Sequence, residues 1–147
     1  MQDYPYQIQY LTLSTLINNY TMKTAQEQAR DFLKYCLTHR PTGCQLVTIG
    51  IDFDPEDPLV DVICLEQGYD LNLITDFTDQ SIDLVYVHKD IPDPVDHAIL
   101  WGYKIRGGGA LSGWGYQDPK TKQDLLTKMG DCWTEFPDIW ALPIVTV

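Results

Sequence analysis

Hydrophobic and polar positions along the 147-residue chain change period several times. The opening YQIQYLTLS alternates polar and apolar residues and is rich in β-formers, which predicts a strand over about 6–13. Asn18 and Asn19 favour a turn after it. TAQEQARDFLKYCLTHRP then shifts to helical spacing, with Ala25, Ala29, Phe32, Leu33, Cys36 and Leu37 on one face. Thr24 with Glu27 three residues on makes a capping box. His39 and Arg40 suit the negative helix end, and Pro41 with Gly43 stops the element.

Two Val/Ile-rich runs follow, CQLVTIGIDF and PLVDVICLE, with DPEDP between them. Their simplest pairing is an antiparallel hairpin. SIDLVYVHKD predicts another strand, and HAILWGYKI a further one. DPKTKQDLLTKMGDCWTEF returns to helical spacing. Asp118 is its cap, Pro119 its first residue, and Leu125, Met129, Trp133 and Phe136 its inner face, with Gly130 weakening the middle or ending it early. WALPIVTV closes as a strand in which Pro143 argues for an edge. The predicted order is β-α-β-β-β-β-α-β. It implies a single α+β domain over residues 1–147, a mostly antiparallel sheet of about five to six strands with two helices packed on one face.

Composition adds a packed core, since 44% of residues are hydrophobic and 12% aromatic. The four cysteines contain no CxxC pair, so reduced core thiols are expected rather than disulfides or zinc. The N-terminus has no basic segment leading into an apolar run, and no stretch approaches the roughly 18 apolar residues of a membrane helix. These features predict a cytoplasmic protein with no membrane partner.

Charge changes the picture most. The formal value is −11, and residues 52–96 hold 13 acids against one base, Lys89. Direct nucleic-acid binding is disfavoured, because no basic patch exists to displace counterions.

Residues 102–116, GYKIRGGGALSGWGY, carry six of the ten glycines. Neither phosphate-binding pattern is met: no GK-Ser/Thr occurs, and the dinucleotide spacing from Gly107 and Gly109 puts Ser112 where a third glycine belongs. The stretch reads first as a hairpin tip. As an alternative, Lys104, Arg106, Gly107, Gly108, Gly109 and Trp114 would form a small-molecule or nucleotide loop, with arginine gripping phosphate and the indole stacking on a base.

DFDPEDP fails the EF-hand pattern, with Asp57 at the glycine position and Ile63 at the final glutamate position. His88 near Asp90, and His97 beside Asp96, have the makings of a base oriented by a carboxylate, yet no nucleophile in an elbow context accompanies them. No catalytic residue, metal ligand or cofactor is assigned, and binding is favoured over catalysis.

The acidic block is threaded with strong β-segments, so its carboxylates are expected on a folded surface. A fixed negative field steers basic partners and competes with phosphate for a cationic groove. The sequence therefore predicts a small acidic protein that inhibits or masks a basic, nucleic-acid-handling partner, such as an effector or nuclease. That is the physical profile of immunity proteins and phage anti-defence inhibitors. The expected contact residues are Asp52, Asp54, Glu56, Asp57, Asp61, Tyr69, Asp70, Asp76 and Asp79.

Overall fold

The computed structural model describes residues 23–38, 44–130, 132 and 136–144. The strand expected over 6–13 and the helix-stop residues 39–43 lie outside them.

Helix α1 (Ala25–Thr38) starts at the predicted capping box. The Thr24 amide donates to Glu27 Oε1 at 3.0 Å, and the Glu27 amide donates to Thr24 Oγ1 at 3.1 Å. Strand β1 (Gln45–Ile49) follows, then β2 (Asp61–Leu65), a 3-10 turn (Leu71–Asp76) and β3 (Ile82–Val87). Helix α2 (Pro94–Leu100), a second 3-10 turn (Gly102–Lys104), β4 (Ile105–Trp114), α3 (Pro119–Lys128) and β5 (Ile139–Pro143) complete the described chain.

The five strands form one sheet in the order β2-β1-β3-β4-β5. Every neighbouring pair is parallel except β4 with β5. This is an α/β fold, and it overturns the expected mostly antiparallel sheet. Two local readings produced the error. A hairpin between the runs around DPEDP would need a loop of about two to five residues. The strands are shorter than the runs, so residues 50–60 link them. Eleven residues reach up to about 36 Å, roughly twice the length of a five-residue strand, enough to return to the same end and pair in parallel. HAILWGYKI is not a strand: Asp93–Pro94 starts helix α2, with proline in its first turn.

The helices also cover both faces of the sheet, not one. Val47, Ile49, Val85, Val87 and Leu111 pack with Val95 and Ala98 of α2 and Leu125 of α3. Leu46, Leu84 and Tyr86 pack in a second cluster with Ala29, Phe32 and Leu33 of α1. Strand β3, IDLVYV, is buried at all six positions. Burial at every position, interrupted in polarity only by Asp83, marks a central strand covered on both sides, as parallel sheets require.

Helix α3 has the predicted cap. Asp118 Oδ2 accepts from the Thr121 amide and hydroxyl, both at 3.0 Å, and these bonds hold its carboxyl below the usual range. The helix stops at Lys128. Gly130, with φ of 86°, donates to the Leu125 carbonyl as a left-handed cap. Phe136 consequently joins the α1 side, 5.6 Å from the Phe32 ring centroid, rather than the inner face of α3. Trp133 is outside the described residues. Among the described residues Pro143 ends the edge strand β5, and of the four cysteines expected in the core only Cys44 is fully buried, while Cys64 is exposed.

Candidate functional site: the carboxyl ends of the parallel strands

In an open parallel sheet, ligands bind outside the carboxyl ends of the strands, where the strand order reverses. Here that point lies between β1 and β3, because the chain leaves β1 for β2 on one side and later enters β3 on the other. A hollow of about 350 Å³ occupies it. Its walls are Gly50, Ile51 and Asp52 after β1, Leu65, Glu66 and Gln67 at the end of β2, and His88, Lys89 and Asp90 after β3. Gln26 and Arg30 of α1 border it. The volume falls at the lower end of the roughly 300–1,000 Å³ typical of small-molecule sites.

Local backbone geometry shapes this hollow. Gly50 has φ of 86°, and a Cβ there would lie 3.3 Å from Ile91 Cδ1 and 3.4 Å from His88 Cβ. A side chain would be strained and would crowd the histidine. Asp90 and Asp93 adopt left-handed φ of 68° and 47° in the turn after His88. Such conformations cost about 1–3 kcal/mol for non-glycine residues and cluster at functional sites. Gln67 Nε2 donates to the Asp90 carbonyl at 2.7 Å, tying the end of β2 to the turn after β3.

His88 walls this hollow and also a second one, of about 350 Å³, with Ile91, Pro94, Trp114, Gly115 and Thr121. Its side chain is 4% exposed. Nδ1 lies 2.9 Å from the Tyr86 hydroxyl, while Nε2 has no partner among the described residues. Leaving a buried polar group unpaired costs about 1–3 kcal/mol. Burial, helped by the positive charges of Lys89 and Arg30 and opposed by Asp90, lowers the imidazole pKa to about 4. His88 is therefore neutral at pH 7. Burial, with the nearby Asp138 charge, pushes the Tyr86 hydroxyl well above its ordinary value.

The sequence-predicted residues fall elsewhere, apart from Asp52. Asp54, Glu56, Asp57 and Asp61 are exposed along the β1–β2 link and β2. Asp70, Asp76 and Asp79 are exposed in the segment before β3. Several have local roles: Asp54, Asp57 and Asp70 accept the amides of Glu56, Leu59 and Asn72 at 2.9–3.0 Å. Tyr69, the one aromatic among the expected contact residues, is half-buried. Its hydroxyl accepts from Trp101 Nε1 at 2.9 Å and lies 2.7 Å from His97 Nε2.

The glycine loop proposed as an alternative site does not converge. GYKIRGGGALSGWGY is no hairpin tip: residues 105–114 are strand β4, parallel to β3, with a shift in register between Ile82 and Leu84 where the glycines bulge. Lys104, Arg106, Gly107, Gly108 and Gly109 lie at the amino end, and Trp114 at the opposite, carboxyl end. Lys104 Nζ donates to the Phe77 carbonyl at 2.8 Å and Asp79 at 2.7 Å. Arg106 donates to the Ser81 carbonyl at 2.6 Å and pairs with Asp83 at 3.0 Å. Gly109 is required by packing, since a Cβ would lie 2.4 Å from the Asp83 carbonyl oxygen.

Nor do the histidines form a dyad. His88 bonds to Tyr86 and His97 to Tyr69, while Asp96 pairs with Lys128 at 2.6 Å. Among the described residues, no group of three or more His, Cys, Asp or Glu side chains is placed to hold a metal ion. Gly50, Glu66 and Arg30 carried no motif in the sequence. The signal that singles them out is their position at strand and helix ends, which is readable only once the sheet is known to be parallel.

No family model and no curated protein matches this chain. Among solved structures, a possible exported protein from Bordetella parapertussis aligns at 17% identity with a TM-score of 0.35. The alignment covers 69% of this chain and 52% of that one, so the chain spans about half the length of that structure.

Proposed function

We propose that the protein binds a nucleoside-type small molecule in the hollow at the carboxyl ends of β1, β2 and β3. The observation that carries this is the position of the hollow at the reversal of strand order, the ligand site of doubly wound sheets. Glu66, exposed and immediately after β2, stands where such folds place the carboxylate that accepts ribose hydroxyls. The segment after β1 holds no helix and no glycine-rich turn, hence no helix N-terminus to receive a diphosphate. The favoured ligand is an adenosyl-type compound held by sugar and base, not a dinucleotide.

Calorimetric titration and thermal shift against adenosine, S-adenosylmethionine, NAD and ATP test the reading. Adenosyl compounds without a diphosphate are expected to bind best, and at 100 times its dissociation constant a ligand adds about 2.7 kcal/mol of stability. Absence of binding across the panel would sink it.

The acidic flank supports a second reading, docking of a basic protein partner that the acidic surface inhibits or masks. Asp52, Asp54, Glu56, Asp57, Asp61, Asp70 and Asp76 are exposed and form no ion pair among the described residues. Carboxylates not neutralised by neighbours project the strongest field. Pull-down from the native host with wild type and with Asp52, Asp54, Glu56 and Asp57 changed to Lys tests it. A basic partner retained equally by both would refute the electrostatic account.

A further inference from the structure

We propose that His88 recognises a carboxylate on the bound ligand through its Nε2–H, so that the ligand is a nucleoside bearing a carboxylate tail. This rests on the nucleoside reading above and narrows it. The tautomer follows from Tyr86. Its hydroxyl is buried and keeps its proton at any ordinary pH, and that hydrogen needs an acceptor. Among the described residues the partner within reach is His88 Nδ1, at 2.9 Å. Nδ1 therefore accepts, and the imidazole carries its hydrogen on Nε2. That N–H is buried without a partner among the described residues, on a side chain that walls both hollows. A ligand acceptor satisfies it once a side-chain shift opens Nε2 to the hollow.

The neighbours favour a carboxylate over other acceptors. Arg30 and Lys89 border the same hollow, and neither forms an ion pair among the described residues. One carboxylate oxygen can take the imidazole N–H while the other faces a cation, which a hydroxyl or a lone carbonyl cannot do. A phosphate dianion fits less well, because Asp52, Glu66 and Asp90 line the same walls and repel a second charge more than a first.

S-adenosylmethionine and its decarboxylated form share every group except the carboxylate and serve as the probes, titrated into the full chain at pH 7.5. Wild type is expected to bind S-adenosylmethionine at least tenfold more tightly. His88→Asn keeps an acceptor for Tyr86, but its amide N–H ends short of the Nε2 position, so no donor remains there. It should weaken S-adenosylmethionine about tenfold and leave the decarboxylated probe unchanged. A preference that survives in His88→Asn, or an equal loss for both probes, overturns the carboxylate assignment alone. If neither probe binds wild type, the nucleoside reading fails and this inference falls with it. Should His88→Asn not fold, nitrogen-15 NMR of the wild-type imidazole decides: a proton on Nδ1 rather than Nε2 refutes the assignment.

Discussion

At the amino ends of β3 and β4 the chain concentrates Lys104, Arg106 and three consecutive glycines, and the two cations and Gly109 are used internally. Each cation meets a backbone carbonyl and a carboxylate, and Gly109 lies against the Asp83 carbonyl. At the carboxyl ends of β1, β2 and β3 a similar stock of polar groups is left open. Among the described residues His88 Nε2 is unpaired, Glu66 is exposed, and Arg30 makes one long 3.4 Å bond to the Asp52 carbonyl. The apolar hollow at the amino end, between Leu71, Leu100 and Tyr103, is larger at about 530 Å³, yet its charged lining residues, Lys104 and Asp79, already pair with each other. Charge and glycine content alone do not mark a site; polar groups without partners do. One end of the sheet holds the fold together, while the other carries the proposed site.

The largest effect expected from this contrast is on acid stability at the carboxyl end. In the unfolded chain His88 takes a proton near pH 6.5, but in the folded protein only near pH 4. The unfolded state thus binds more protons between these values, and stability falls as the pH drops through that window. The contribution is full above pH 6.5 and amounts to no more than about 3 kcal/mol. Denaturant melts of wild type minus His88→Asn, taken from pH 7.5 to 4, should show it, and a flat difference would break the account.

At the amino end, Gly109→Ala should cost about 2 kcal/mol, because the added methyl meets backbone rather than a mobile side chain. Ligand affinity should not change. A wild-type melting temperature in this variant would show that the bulge at Arg106–Gly109 is looser than described.

A smaller effect is expected from Glu66→Gln, about a tenfold loss of adenosyl-ligand affinity, or about 1.4 kcal/mol, with the thermal melt unchanged. The opposite pattern belongs to Lys104→Met: a stability loss of under about 1 kcal/mol, its ion pair being with an exposed Asp79, and unaltered binding. Were Lys104→Met instead to abolish binding, the division between the two ends would collapse.

Local signals in the sequence were legible wherever one residue decides the outcome. Thr24 with Glu27, and Asp118 with Pro119, mark helix starts that the structure contains. What pairs with what was not legible, because strand direction depends on distant contacts. IDLVYV looks the same in sequence whether its neighbours run with it or against it, and only burial at all six positions reveals a two-sided cover. The error in direction then displaced the candidate site, since a parallel sheet has a ligand end and a meander does not. Asp93–Pro94 was a readable helix start, obscured by the strand-like AILW that follows.

Strand β2 pairs with β1 alone among the described residues, and one row of its amides and carbonyls therefore faces outward. Ile63 on it is 43% exposed, and Cys64 is exposed beside it. Such a border is a template for another copy of itself. Asp61 stands at its start, and the acids of the preceding link crowd the same approach. Their like charges keep two molecules from zipping together. The acidic flank thus opposes edge-to-edge association of two copies, an opposition that high salt should weaken.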